Sequence, residues 1–298
     1  MFRRLFDAWI SRYAKPQPEA LDAVAGLRPV VVVTGASRGI GLAIARRFAR
    51  AGRDVALVAR DQEELDRAAT AIAAEFAVAA IPIAIDVMDE RAPLTLDERL
   101  AANGCYLDVL VNNAGTGLAG RFDSHTEADV VRLLELNMTA LTRLMHHALP
   151  RMIARGRGGV LNIASLGGLV PGPYQAAYYA SKAYVVSLTE AVGFEIRGQG
   201  VRLSVLAPGP VETGFHADMG AEHSPYRYLI LPVSPETAAT SAYRGYVLGR
   251  RLIVPGLMNK VLAPFLRVLP HAILLPLIGW LLWPRPDREW AVRDDTND

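Results

Sequence analysis

This chain has almost no lysine. Its 32 basic residues include only Lys15, Lys182 and Lys260, and arginine carries the rest of the positive charge. Cysteine is scarcer still. Cys105 stands alone, which excludes an internal disulfide and fits a reducing compartment, so a cytoplasmic location is expected. The six histidines (125, 146, 147, 216, 223 and 271) show no metal-ligand spacing, and no metal site is expected. A formal net charge of +2 gives no reason to expect nucleic acid as a partner. No linker rich in Pro, Ser or Gly, no charge run and no internal repeat divides the chain. The start lacks the uninterrupted apolar core and small-residue cleavage site of a secretory signal. An uninterrupted membrane-spanning run is also missing. The apolar tail from Val261 to Trp283 is broken by Pro264, Arg267, Pro270, His271 and Pro276. Its cleanest stretch, Ala272 to Trp283, is too short for roughly 30 Å of hydrocarbon.

The scarcity of lysine makes one of the three informative. Lys182 lies four residues after Tyr178, and Ser165 lies thirteen residues before that tyrosine. Residues i and i+4 share a helix face. An ammonium beside a phenol favours the phenolate and lowers its pKa from about 10. A phenol tuned in this way can exchange a proton with a carbonyl or alcohol oxygen. Of the ten tyrosines only Tyr178 has lysine at this offset.

A second pattern lies near the start. Val30 to Val33 form a β-branched run without polar alternation, as in a strand buried on both faces. The run leads into Thr34-Gly35-Ala36-Ser37-Arg38-Gly39-Ile40-Gly41, followed by a helical pattern from Leu42 to Ala51 closed by Gly52. A strand, a glycine-rich turn and a helix N-terminus together form an anion site suited to a pyrophosphate. The next strand, Asp54–Ala59, ends in Arg60. Arg38 and Arg60 are two guanidiniums able to hold a ribose 2′-phosphate, which points to NADP(H). Asp61 offers a carboxylate to a free ribose hydroxyl, so NAD(H) is the second option.

With these motifs the chain resembles the short-chain dehydrogenase/reductase family over about Pro29 to Gly256, in its compact single-domain branch. The motifs fall in the family's order: Thr34–Gly41, Asp86-Val87, Asn112-Asn113-Ala114-Gly115, Asn137, Ser165, Tyr178 with Lys182, then Pro208-Gly209 with Val211 and Thr213. The finer likeness is to ketone and acyl-chain reductases with an apolar tail. The resemblance implies a catalytic set of Asn137, Ser165, Tyr178 and Lys182. It implies cofactor contacts from Gly35, Ser37, Arg38, Gly39, Ile40, Gly41 and Arg60, from Asp86 and Val87 at the adenine, and from Asn113, Ala114 and Gly115 near its ribose. Tyr178, Lys182, Pro208, Gly209, Val211 and Thr213 complete the cofactor site around the nicotinamide. Asn137 would hold a water linking Lys182 to bulk protons. An epimerase or dehydratase of the extended branch also uses Tyr and Lys, but the Gly-x-x-x-Gly-x-Gly spacing argues against it. A cofactor-binding sensor or membrane scaffold without turnover is the non-enzymatic alternative.

Strands are expected near 30–34, 54–59, 81–85, 108–112, 159–164, 201–207 and 251–254. Helices are expected near 40–51, 61–76, 126–154, 175–198 and 235–248. This alternation implies an α/β fold: one doubly wound, parallel Rossmann-type sheet over residues 29–256, with extensions at 1–28 and 257–298. Gly214 to Pro235 occupies the place of a substrate lid and carries Phe215, Met219, Tyr226, Tyr228, Leu229, Ile230 and Leu231, which favours an apolar ketone, alcohol or acyl-chain substrate. Phe2, Leu5, Phe6, Trp9, Ile10 and Tyr13 share a helical face, with Arg3, Arg4 and Arg12 off it. Such a helix suits a membrane interface, its own domain or a dimer contact. Trp280, Trp283 and Arg285 resemble interfacial anchors. The prolines suit the tail better to wrapping a pocket than to spanning a bilayer. A homo-oligomer is expected.

Overall fold

The four valines of the first strand alternate between two cores. Val31 and Val33 pack into one cluster, with Ile44, Phe48 and Tyr246. Val30 and Val32 pack into another, with Leu100, Leu144 and Met152. A strand apolar on both faces must be covered on both faces. In the computed structural model, which describes residues 16–221, 224–229 and 231–283, it lies inside a seven-stranded sheet in the order β3-β2-β1-β4-β5-β6-β7. The strands are β1 Arg28–Thr34, β2 Val55–Ala59, β3 Ala80–Ala84, β4 Cys105–Asn112, β5 Gly158–Ile163, β6 Val201–Leu206 and β7 Leu252–Ile253. Every pairing is parallel. The expected doubly wound Rossmann-type fold is therefore the observed one. The strand order reverses between β1 and β4, where ligands bind in such sheets.

The helices flanking the sheet are α1 Gly39–Ala49, α2 Gln62–Phe76, α3 Ala92–Ala102, α4 Glu127–Leu134, α5 Leu141–Ala154, α6 Ala176–Glu195 and α7 Pro235–Val247. Two more, α8 Leu257–Val268 and α9 His271–Leu282, follow the last strand. Single turns occupy Phe215–Asp218 and Tyr226–Leu229. The helix expected over 126–154 is interrupted by a π turn at Glu135–Ala140 that buries Asn137. Helix α3 was not expected. Its stripe is short, with Leu96 and Leu100 buried and a proline at its first turn. Helices α8 and α9 were expected only as a broken apolar tail. Each tolerates an internal proline, Pro264 and Pro276. The amphipathic pattern before Pro16 and the anchor Arg285 lie outside the described residues.

Candidate active site

The carboxyl ends of the strands open onto a cleft of about 1500 Å³. At one end β1 runs into the glycine turn. Gly35 has φ of +63°, and a Cβ there would meet the Asn113 amide at 2.9 Å. Gly41 is constrained by proximity, because a Cβ would collide with the Gly35 carbonyl oxygen. Asn113 stitches the turn to β4. Its Nδ2 donates to the carbonyls of Thr34 at 2.9 Å and Gly35 at 3.0 Å, while Thr34 Oγ1 accepts from the backbone N–H groups of Asn113 and Ala114. The amide expected to face a ribose is thus also the clasp of the cradle. Helix α1 begins here with no side-chain cap, which leaves its first N–H groups available to an anion. Ser37, Gly39 and Ile40 line the same wall, and Gly39 faces the Thr213 methyl.

Arg38 and Arg60 both border the cleft. The Arg38 guanidinium is paired with Asp218 at 2.9 Å across the mouth. Asp61 caps α2, accepting from Glu64 N at 3.0 Å, so its carboxylate already serves a helix N-terminus. At the end of β3, Asp86 accepts from Met88 N at 3.0 Å and Val87 is buried. After β6, the Pro208 carbonyl accepts from Leu166 N, Val211 bridges to Val233 and Gly209 abuts Asn259.

Ser165, just past β5, meets Tyr178 and Lys182 from α6 in the middle of the cleft. Ser165 Oγ accepts from Gly167 N at 3.1 Å, which fixes its rotamer. Lys182 Nζ donates to the Ile163 carbonyl at 3.0 Å and lies 5.7 Å from the centre of the Tyr178 ring. Asn137 donates to Ser181 Oγ at 3.0 Å and to the Thr116 carbonyl, and accepts from Thr116 N at 2.9 Å. The π turn and α6 are thereby clamped to the loop after β4. A Cβ on Gly115 would lie 3.0 Å from Asn137 Oδ1 and 3.4 Å from Lys182 Nζ, so these three residues share one spot.

The electrostatics correct one expectation. The i,i+4 spacing predicts that Lys182 lowers the Tyr178 pKa. In the structure burial dominates and pushes the Tyr178 phenol above its ordinary value, with the Ser165 hydrogen bond pulling it partly back. Burial also pushes the Lys182 ammonium down to about 8. Both groups are desolvated, and the ammonium is directed to a backbone carbonyl rather than to the phenol oxygen.

The other end of the cleft is apolar. Phe215, Met219 and Tyr226 reach it from the expected lid, and the Phe215 ring centre is 5.6 Å from that of Tyr178. Tyr228 and Leu231, also expected there, face solvent. Leu262, Leu266, Leu277, Ile278, Leu281 and Leu282 from α8 and α9 form much of the remaining wall. Sequence reasoning missed Gln175. It sits immediately before α6, lines the cleft and is buried, and its Nε2 has no hydrogen-bond partner. Its position three residues before Tyr178 was the available signal.

The comparisons agree with this geometry. The family model described as "short chain dehydrogenase" matches residues 29–224. A ketoacyl reductase, HetN, of Nostoc sp. is 34% identical over 215 residues, which are 72% of this chain and 75% of the relative. A 3beta-hydroxysteroid dehydrogenase of Eggerthella lenta is 31% identical over 242 residues, covering 77% of this chain and 93% of the relative. The structure of a short-chain dehydrogenase from Sphingobium yanoikuyae in complex with NADPH superposes with a TM-score of 0.72 at 29% identity, covering 90% of this chain and all of that one. The protein belongs to the short-chain dehydrogenase family and is an NAD(P)-dependent oxidoreductase.

Proposed function

We propose that the protein is an NADPH-dependent carbonyl reductase, or the reverse alcohol dehydrogenase, acting on a largely apolar substrate that carries one further hydrogen-bond-accepting group besides the reacting carbonyl. The observation that carries this reading is the convergence of Ser165, Tyr178 and Lys182 between a glycine cradle and an apolar wall. The residues suit a dinucleotide: the cradle leaves no room for a Cβ at Gly41, α1 starts uncapped, and Arg38 and Arg60 border the end where a 2′-phosphate would lie. Bound there, the nicotinamide would supply the hydride. Asp61 is engaged as a helix cap, which favours the arginines, and hence NADPH, at that position.

The chain's own residues then handle the oxygen. Ser165 Oγ donates to the substrate carbonyl oxygen and holds it near the Tyr178 hydroxyl. Tyr178 is protonated at neutral pH because burial raises its pKa, so it is in the form that donates a proton to the developing alkoxide. Lys182 places a desolvated cation below the ring and offers the remaining Nζ protons to the cofactor ribose. Asn137 is a positioning residue that holds α6 through Ser181; a proton path through it to bulk water belongs to the same proposal. Gln175 supplies a buried donor for a second polar group on the substrate. The walls from the lid, α8 and α9 exclude water and favour hydrocarbon.

The test is NADPH oxidation with aliphatic, aromatic, steroid and acyl-thioester ketones, comparing wild type with Tyr178→Phe. Turnover by wild type and a loss of roughly 10²–10⁴-fold in kcat in the variant, with NADPH affinity unchanged, is the expected outcome. Cofactor binding without turnover on any ketone would favour a sensor. Near-full turnover by the variant would remove Tyr178 from the proton step.

A further inference from the structure

The two C-terminal helices each have two faces, and the cleft uses only one. The other face of α8 and α9 is apolar and open to solvent. Leu257, Met258 and Val268 are 75–81% exposed, and Phe265, Ile273 and Trp280 are 57–58% exposed. Single exposed apolar residues are ordinary, but six large ones exposed on two successive helices mark an interaction surface. Each helix has 12 residues, about 18 Å of length, which is well short of a bilayer core. Among the described residues no helix is long and apolar enough to cross a membrane. A surface of this kind lies along an interface instead.

Charge selects the partner. From Thr237 to Pro286 the chain contains no Asp or Glu, yet it carries Arg244, Arg250, Arg251, Lys260, Arg267 and Arg285. Four of these cations, Arg244, Arg250, Lys260 and Arg267, line one groove of about 520 Å³ against α8, together with Leu248 and Pro264. Only Arg267 has an acidic partner in a described ion pair, Glu190 at 3.2 Å. A cationic groove against a helix that also exposes apolar side chains suits an anionic phospholipid, whose phosphate is attracted to the cations and whose acyl chains are attracted to the apolar residues. We propose that these two helices form a peripheral docking surface for anionic membranes, with α8 and α9 lying in the plane of the headgroups. The proposal stands apart from the reductase reading, because vesicle binding needs no turnover.

The experiment is co-sedimentation of the full chain with vesicles of phosphatidylcholine alone and of phosphatidylcholine with 30% phosphatidylglycerol. Wild type should bind the anionic vesicles at least tenfold more strongly, and the difference should shrink with added salt. Lys260→Glu with Arg244→Glu should remove that preference, about tenfold or more in partitioning. Phe265→Ser with Ile273→Ser and Trp280→Ser should abolish binding to both. NADPH affinity and circular dichroism check that each variant is folded, and the charge variant decides the matter if the apolar one is not. Wild type left in the supernatant with both vesicle types overturns the proposal, as does equal binding by wild type and the charge variant. A wild-type dimer that ignores vesicles and becomes monomeric in the apolar variant assigns the face to a second copy of the chain and overturns it too.

Discussion

The glycine-turn end of the cleft is made of backbone held by short contacts, whereas the apolar end is made of side chains delivered from three separate segments. At the first end, Gly35, Gly41 and the Asn113 clasp lie within hydrogen-bond or van der Waals reach of one another. At the second, residues of the 215–226 turns, α8 and α9 meet only because the chain returns over the sheet after β7. The first arrangement leaves no room for a side chain at Gly41 and little at Gly35. The second can change side chains without disturbing the sheet.

The comparison breaks most readily at Gly41. Gly41→Ala forces a methyl against the Gly35 carbonyl. It should cost about 1–3 kcal/mol of stability and lower NADPH affinity by roughly 100-fold or more, since 1.4 kcal/mol is tenfold. Calorimetry of NADPH binding and a thermal melt measure both effects. Normal affinity would show that the cradle does not hold the pyrophosphate.

Arg38→Ala combined with Arg60→Ala should weaken NADPH by about 10- to 100-fold and leave NADH nearly unchanged. A charged hydrogen bond contributes about 1.5–3 kcal/mol and is partly screened at an exposed site. Equal effects on the two cofactors would remove the arginines from 2′-phosphate recognition. The Asp218 partner of Arg38 is a surface pair worth about 0–1 kcal/mol, so it competes weakly with a phosphate.

Lys182 tests the buried junction between the two ends. Its folded pKa is pushed down to about 8 from 10.5. Between those pH values the unfolded chain holds the proton and the folded chain does not, so stability rises with pH across that window. Below about pH 8 the folded protein carries the full cost of a buried ammonium. In the cofactor-free protein, wild type should therefore gain about 1–3 kcal/mol relative to Lys182→Met between pH 8 and 10.5. Denaturant melts at several pH values measure this slope, and a flat difference would show that Lys182 is effectively solvated.

Gln175 gives the smallest effect. Gln175→Leu removes a buried donor that lacks a partner, so stability should hold or rise by up to about 1–3 kcal/mol. The KM for a substrate bearing a second acceptor should rise two- to tenfold, in line with about 0.5–1.5 kcal/mol for one hydrogen bond. A variant with unchanged KM for every ketone accepted would make Gln175 purely structural.

How much of this was legible before the fold follows from the same contrast. The seven strands, the glycine turn and the Tyr178–Lys182 pair were readable because each is written in local spacing: a β-branched run, a glycine pattern, an i,i+4 offset. Chain order then put Gly35, Asp86, Asn113, Ser165 and Pro208 at strand ends, which in a parallel sheet is one edge. Helix α3 was missed because Leu96 and Leu100 make too short a stripe. The π turn was missed because Asn137 is held by long-range partners, Thr116 and Ser181, that no local pattern names.

Sequence alone determined the sheet, the glycine turn and the Tyr178–Lys182 pair proposed for the proton step, since backbone conformation and periodicity are local properties. Only the tertiary structure set the direction of the pKa shifts at Tyr178 and Lys182, because desolvation depends on everything packed around a group. It also decided that Phe215, Met219 and Tyr226 share one wall of the cleft with α8 and α9, that Gln175 is buried there without a partner among the described residues, and that α8 and α9 expose apolar side chains on their outer faces. Those are facts about which surfaces meet, and surfaces meet only once the chain has closed on itself.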